Sequence, residues 1–148
     1  MFDKDIQALT AHFVSSWPTV SDAVPAFYDN QPNADPPLDE PFVRFSVIMG
    51  GSRHYAGDAI HGVMKQIGRV WLRIYFPAQT GLAVAHELAS GFAAMFRNQS
   101  FDEDAIQCAT EQPEAPINVV SDFASAAAEA NGMLMLKITI PFDSFRSY

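Results

Sequence analysis

Hydrophobic residues recur at helical spacing near the start of the chain. Ile6, Leu9 and Phe13 are three or four positions apart with polar residues between them, which predicts an amphipathic helix over about residues 3–16. Pro18 follows, and because the residue before a proline avoids helical geometry, we expect the helix to end at that point.

A second helix is predicted at about residues 80–98, where Thr80 can serve as the N-cap. Its apolar residues again recur at helical spacing. We expect them to form the buried side of the helix, with Leu82, Ala85, Ala89, Phe92 and Phe96 at its centre and Leu88 and Met95 beside them.

Between the two helices, apolar and polar residues alternate, which predicts β-strands. The alternation covers about residues 43–49, 59–66 and 69–76, and residues 50–57 are expected to be a loop. Ile67-Gly68, between the last two strands, is interpreted as a tight hairpin turn.

Three further strands are predicted after the second helix, at about residues 105–110, 117–120 and 133–141. The alanine-rich segment 122–130 is interpreted as either a helical turn or a mobile loop. Short connections favour an antiparallel sheet with helices packed on one side, in the order α-β-β-β-α-β-β-β, so the predicted fold class is α+β. A length of 148 residues is typical of one domain.

The segment between the first helix and the first strand, about residues 18–41, is rich in proline and aspartate and contains neither lysine nor arginine. Irregular segments of this length inside a compact domain are usually functional or mobile. Because Phe27 and Tyr28 can anchor it, we expect an extended arm that lies along another surface.

The formal net charge is −8, which argues against a general nucleic-acid coat protein, because affinity for phosphates requires an excess of lysine and arginine. Cys108 is the single cysteine, which excludes an internal disulfide, and we interpret it as a buried structural residue. Neither a signal peptide nor a transmembrane helix is predicted.

No catalytic, cofactor-binding or metal site is predicted. Ser52, His54 and Asp58 could be taken for a hydrolase triad, but the second glycine of a nucleophile elbow is missing. His54, Asp58 and His61 would share a face on a helix, whereas this segment is expected to be loop and strand, so the three should not converge on a metal. The acidic arm lacks the ligand spacing of a calcium-binding loop.

The hairpin at about residues 60–76 is the most informative feature of the sequence. Along its second strand, basic and aromatic residues alternate with apolar ones, so that one side of the strand is basic. Arg, Trp and Tyr are the residue types that dominate protein interfaces. The expected contact residues are Arg44, Arg53, Lys65, Arg69, Trp71, Arg73 and Tyr75, together with the acidic Asp35, Asp39 and Glu40 and the outward-facing Met133 and Met135 of the last strand.

Two interpretations of this basic surface remain open. It can contact another subunit, or the chain's own acidic arm can cover it, with arginine stems packed on aromatic rings. A function of a different class is a single-stranded nucleic-acid-binding module that uses Trp71 and Tyr75 as a stacking platform. A small-ligand enzyme has the least support, because no paired acid and base emerge.

The pattern as a whole resembles the tail terminator proteins of long-tailed bacteriophages. The resemblance covers most of the chain and rests on the order of elements and on anchor residues: Trp17-Pro18, Phe27, Asn30, Pro41-Phe42-Val43-Arg44-Phe45-Ser46-Val47, Gly57, Ile67-Gly68, Trp71-Leu72-Arg73-Ile74-Tyr75-Phe76-Pro77, Gly81 and Ile140-Pro141-Phe142. The alanine-rich segment 122–130 and the density of basic residues in the hairpin depart from the family pattern.

The resemblance implies a structural virion protein, not an enzyme, that works without a cofactor. Such a protein caps the tail tube, stops its polymerisation and provides the surface that joins tail to head. The implied partners are further copies in a ring, expected to be a hexamer, the tail tube protein, and a head–tail connector or neck protein. No membrane and no specific nucleic acid are implied, although genomic DNA would pass through the ring.

The implied location is the virion, after assembly in the host cytoplasm. Another neck or tail-completion protein of the same particle is the alternative within this class.

Overall fold

The structure is a computed structural model that describes residues 2–29, 40–58, 60–77, 82–109, 112–113, 117–118 and 133–147. Within these residues, two helices pack on one side of a sheet, which confirms the predicted α+β class. The elements are helices α1 (Phe2–Val20) and α2 (Leu82–Phe96) and strands β1 (Ala26–Tyr28), β2 (Phe42–Gly57), β3 (Gly62–Pro77), β4 (Ser100–Phe101), β5 (Ile106–Cys108), β6 (Gln112–Pro113), β7 (Ile117–Asn118) and β8 (Met133–Ser147). Asn30, Asp35, Asp39, Thr80, Gly81 and segment 122–130 of the sequence interpretation lie outside the described residues.

The centre of the sheet is formed by β2, β3 and β8, which are antiparallel, with β3 between the other two. The strand order is β1-β2-β3-β8-β5-β4, and the short β6 and β7 also pair with β8. Because β1 is parallel to β2, the sheet is mixed and not antiparallel throughout as predicted. β1 comes from the segment expected to be irregular, so part of the arm is an edge strand.

Two long strands replace the three predicted before α2. β2 and β3 have 16 residues each and are joined at residues 58–61. The turn predicted at Ile67-Gly68 is therefore wrong, since both residues lie inside β3, and the predicted loop at residues 50–57 is strand. Gly68 is required there for packing, because the aromatic ring of Phe142 occupies the space that a Cβ atom would need.

The turn at residues 58–61 is held by an aspartate. Asp58 Oδ1 accepts hydrogen bonds from the backbone N–H groups of Ile60, at 2.8 Å, and His61, at 2.6 Å. Gly57 precedes it with φ +92°, a left-handed conformation that favours glycine. The turn is therefore built from glycine followed by aspartate, a combination with a known turn-forming mechanism.

Helix α1 continues through Pro18 to Val20, so its predicted end near residue 16 is wrong. A proline removes one backbone donor, and near the C-terminal end of a helix this loss affects a single hydrogen bond. Trp17 holds the last turn in place, because its side chain is buried and its Nε1 donates to the carbonyl oxygen of Val24 at 3.0 Å.

The core lies between the helices and one side of the sheet. Phe13 of α1 stacks on Phe45 of β2, with ring centroids 4.4 Å apart and an interplanar angle of 5°. Leu82 is predicted in this core but is 44% exposed, because the buried part of α2 begins at Ala85. The core residues include Leu9, Phe13, Trp17, Ala85, Leu88, Phe92 and Phe96 from the helices and Val43, Phe45, Val70, Leu72, Ile74, Ile138 and Ile140 from the sheet.

Strand β8 extends beyond its predicted end at residue 141, and this extension carries an arginine that reaches α1. Arg146 Nε donates to Oδ1 of the fully buried Asp5 at 3.0 Å, and its Nη2 donates to the same oxygen. Its Nη1 pairs with Asp102. Burial works against the charge of Arg146, but the hydrogen bonds to the two carboxylates outweigh it and raise the pKa of the guanidinium.

Candidate interaction face

Alternation along β2, β3 and β8 places charged and polar side chains on the side of the sheet away from the helices. We call this side the basic face. Its residues form rows across the three strands, because directly opposite residues point the same way. The rows are Phe42, Tyr75 and Met135; Arg44, Arg73 and Lys137; Ser46, Trp71 and Thr139; Ile48, Arg69 and Pro141; and Arg53, Lys65 and Phe145.

One of these rows consists of three cations side by side. Arg44 lies opposite Arg73, and Arg73 lies opposite Lys137, in adjacent strands. All three side chains are half-buried. Like charges that lie directly opposite each other across a strand pair are destabilising. A row of this kind in a protein with a net charge of −8 is favourable where anionic or other acceptor groups face it.

The donors beside the cation row are only partly satisfied. Lys137 Nζ lies 3.7 Å from the centroid of the Trp71 ring, a cation–π contact. The buried Nε of Arg44 and Nε1 of Trp71 have no hydrogen-bond partner among the residues that the structure describes. A buried donor without an acceptor costs about 1–3 kcal/mol, so this part of the face favours contact with carboxylates or carbonyls.

The arm reaches the basic face where it leaves β1. Asp29 Oδ1 accepts a hydrogen bond from Ser46 Oγ at 3.2 Å. The first carboxylate after β1 therefore lies on the basic face of its own chain. The next described residue, Glu40, is exposed.

One end of the basic face is apolar and closed. Phe42 and Tyr75 stack with centroids 4.5 Å apart, and Phe27 meets Phe42 edge-on at 5.9 Å. Met133 is buried with them, and Met135 packs against this cluster. The Tyr75 side chain is fully buried in the single chain, so its aromatic ring cannot serve as a stacking surface for nucleobases.

Burial divides the expected contact residues into groups. Arg53, Arg69 and Glu40 are exposed; Arg44, Lys65, Trp71, Arg73 and Met135 are half-buried; Tyr75 and Met133 are buried. Lys65 is engaged within the chain, because its Nζ pairs with Asp143 Oδ2 at 3.2 Å. The structure thus brings the basic residues onto one face but leaves Arg53 and Arg69 as the most accessible of them.

The candidate triad and metal-ligand residues of the sequence lie on the exposed part of the β2–β3 hairpin. His54 Nε2 is 3.0 Å from the carbonyl oxygen of Gly57, and His61 Nδ1 is 3.9 Å from Asp58 Oδ1 across the turn. Hydrogen bonds from the backbone of His61 and Ile60 lower the pKa of Asp58. No group of three His, Cys, Asp or Glu residues that could hold a metal occurs in the described part of the chain.

Cys108 lies in β5 as a buried free thiol, and burial raises its pKa to about 12. A thiol of this kind is a poor nucleophile at neutral pH, because the thiolate is the reactive form. The side chain therefore fills space in the core, as the sequence interpretation predicts.

Two charged residues on the basic face, Lys137 and Asp29, are not among the contact residues expected from the sequence. Lys137 completes the cation row. Its alternation in the last strand places it on the outer side, but its place in the row can be recognised only when the pairing of β8 with β3 is known. Asp29 belongs to the predicted arm, and no local signal distinguishes it from the other aspartates there.

Comparison with known proteins supports one assignment. A family model described as phage tail terminator protein matches residues 6–142. No curated protein matches the chain. In the described residues, no helix is long and apolar enough to cross a membrane.

Two solved structures share the fold over almost their whole length. One, a protein without a functional name, is 18% identical and has a TM-score of 0.60, covering 95% of this chain and 94% of that chain. The other is a chain of the virion of a native gene transfer agent (GTA) particle, 12% identical, with a TM-score of 0.54 and coverage of 95% and 93%.

Proposed function

The chain belongs to the phage tail terminator family, and from that premise we propose that it caps the tail tube, stops tube polymerisation and offers the surface to which the head is joined. The family is one of structural virion proteins, and a fold neighbour is a chain of a GTA virion. The protein therefore acts by binding other tail components and not by catalysis.

The observation that carries this proposal is the cation row of Arg44, Arg73 and Lys137 on an otherwise acidic chain. A cap must bind neighbouring copies and the tube through different surfaces. Charge complementarity provides orientation and excludes wrong partners in such contacts. The unsatisfied donors of Arg44 and Trp71 beside the row suit acceptor groups of a partner.

We propose further that copies of the chain form a closed ring, a hexamer, on the end of the tube. A ring needs two different, complementary patches on each copy, because its contacts are head-to-tail. The basic patch is the arginine side of the basic face, with Arg44, Arg69 and Arg73. The acidic patch is the arm of the next copy, with Asp35, Asp39 and Glu40, or another acidic edge. The tube protein and a neck protein contact the two rims of the ring.

Electron microscopy of tails made with and without this protein tests the termination role. In its absence we expect tubes longer than the normal tail, because nothing stops addition of further tube subunits. Tails of normal length without the protein would overturn termination. If such tails also lacked heads, a neck protein of the same particle would be the better assignment.

The subunit contact has a separate test. Arg69→Glu reverses the charge of an exposed residue on the basic face, and Lys4→Glu makes the same change at an exposed position on α1. Native mass measurement at working salt should show loss of ring species for Arg69→Glu, with Lys4→Glu unchanged. Equal ring populations for both variants would exclude Arg69 from the contact.

A further inference from the structure

The end of the β2–β3 hairpin presents exposed apolar side chains. From residue 50 to residue 58 every residue of β2 and the following turn is exposed. Ile60 at the tip is 75% exposed and Tyr55 is 58% exposed. Single exposed apolar residues are ordinary on a protein surface. Here they sit on a hairpin whose strand pairing continues to Gly57 and Gly62, so the tip has a defined position at the end of the sheet.

A groove lies further back along the same hairpin, on the exposed part of the basic face. It has a volume of about 530 Å³ and is lined by Ile48, Ile67, Arg69 and Asp143, among others. Ile48 is 38% exposed and Ile67 is 50% exposed, so the groove has an apolar floor open to solvent. Its volume is in the range of sites that hold small molecules, so it has room for the side chains of a hairpin tip.

The tip of one molecule cannot enter its own groove. Ile60 lies in the turn, and Ile67 lies in β3 seven positions later, which corresponds to roughly 20 Å at the rise of an extended strand. The occupant must therefore be another molecule. The tip and the groove are complementary in charge as well as in polarity, since the tip carries the exposed Asp58. Of the two charged residues that line the groove, Asp143 pairs with Lys65, and Arg69 is exposed.

We propose that the occupant is a second copy of the chain, with Ile60 of one copy packed between Ile48 and Ile67 of the next and Asp58 facing Arg69. This rests on the proposed ring and names its contact. It assigns Arg69 to the hairpin tip, an acidic edge of the next copy, and leaves the arm carboxylates to the other arginines of the basic face. Because the tip and the groove are at different places on one chain, each copy can insert its tip into one neighbour and receive the tip of the other neighbour. A head-to-tail ring requires two such different surfaces on each copy.

A disulfide between copies tests the contact directly. The variant Ile60→Cys plus Ile67→Cys places two thiols that cannot pair within one chain, because a disulfide needs Cα atoms within about 7 Å. The native Cys108 is buried and does not interfere. Mild oxidation of the purified protein and of assembled tails, followed by non-reducing electrophoresis, should show covalent multimers. The matched control is Ile60→Cys plus Ala94→Cys, with the second thiol at an exposed position on α2.

Multimers for the Ile60/Ile67 pair but not for the control would support the contact. Multimers no more abundant than in the control, both in solution and in tails, would overturn it. Tail length measured on the same preparations distinguishes the subunit contact from the termination role. Tails of normal length without cross-links would refute the contact but leave the termination role intact.

Association measured by sedimentation gives a second criterion. Ile60→Asp should weaken it by about tenfold or more, since an apolar contact residue at an interface centre is replaced by a charge. Ile60→Val, which keeps the apolar contact, should have much less effect. Equal association of the two variants would also overturn the proposal.

Discussion

Removal of the Arg146 side chain should destabilise this protein strongly, because it breaks a buried ion pair. Arg146 joins the C-terminal strand to the first turn of α1 through Asp5, whose side chain is fully buried. The second oxygen of Asp5, Oδ2, is buried without a hydrogen-bond partner among the described residues. Arg146→Ala would therefore leave a buried carboxylate with neither its counter-ion nor its hydrogen bonds.

The expected magnitude follows from burial. Breaking one side of a buried ion pair costs about 3–5 kcal/mol, because the remaining charge stays desolvated. The Asp102 side chain is 39% exposed, so its bond to Arg146 is solvated and Asp102→Asn should cost no more than about 1 kcal/mol. Since domains are stable by roughly 5–15 kcal/mol, Arg146→Ala would remove a large share of the total.

Urea unfolding followed by circular dichroism measures this difference. With a slope of about 1–3 kcal/mol per molar urea, Arg146→Ala should lower the midpoint by more than about 1 M. Arg53→Ala, which removes an exposed arginine, is the matched control and should change stability by about 0.5 kcal/mol or less. The pair Asp5→Leu plus Arg146→Met should recover much of the loss, because both charges are replaced by apolar groups.

Either of two results would contradict a buried, uncompensated charge on Asp5 as the cause of the loss. An unfolding midpoint of Arg146→Ala equal to that of Arg53→Ala would show that Asp5 is not an uncompensated buried charge in the variant. A double variant as unstable as Arg146→Ala alone would attribute the effect to lost packing of the arginine stem.

Three further outcomes are expected. Because a Cβ at position 68 would meet the Phe142 ring, Gly68→Ala should destabilise the fold by about 1–3 kcal/mol in the same assay. Gly51→Ala, with open space around it, should be close to neutral, and equal effects of the two substitutions would contradict the packing role of Gly68. Cys108 should resist Ellman's reagent at pH 8 in the native protein and react in urea, since burial raises its pKa to about 12; rapid native labelling would show that β5 opens. The hydrogen bonds to Asp58 lower its pKa below the ordinary 3.8, so the turn should be intact above that value and loosen only as the pH falls through the lowered pKa. NMR spectra in which the tip amides shift near pH 5 would contradict this.

Periodicity alone is sufficient to place the two helices and the apolar side of the central strands. Phe13 and Phe92 recur at helical spacing with their neighbours, and both are in the core. Val70, Leu72 and Ile74 alternate with the basic residues of β3, and the structure places them on the helix side. Such patterns are reliable because the side of an element that a residue occupies depends on its own chain geometry.

The turn of the hairpin shows where local signals fail. The local pattern favours Gly68 as a turn residue, yet it lies in β3. There the ring of Phe142, 74 positions later in the chain, occupies the space that a side chain at position 68 would need. The turn forms instead at Asp58, whose carboxylate accepts backbone hydrogen bonds. A glycine serves equally in a turn and under a packed ring, so its role depends on residues distant in sequence.

The fold class, the family resemblance and the presence of a basic strand in an acidic protein are predictable from the amino-acid sequence alone. The folded structure adds that Arg44, Arg73 and Lys137 form one row, that Tyr75 is buried against Phe42, and that the tip and groove of the hairpin are accessible. The physical reason is that alternation specifies the side of a strand to which a residue points, whereas the identity of the neighbouring strand depends on long-range pairing.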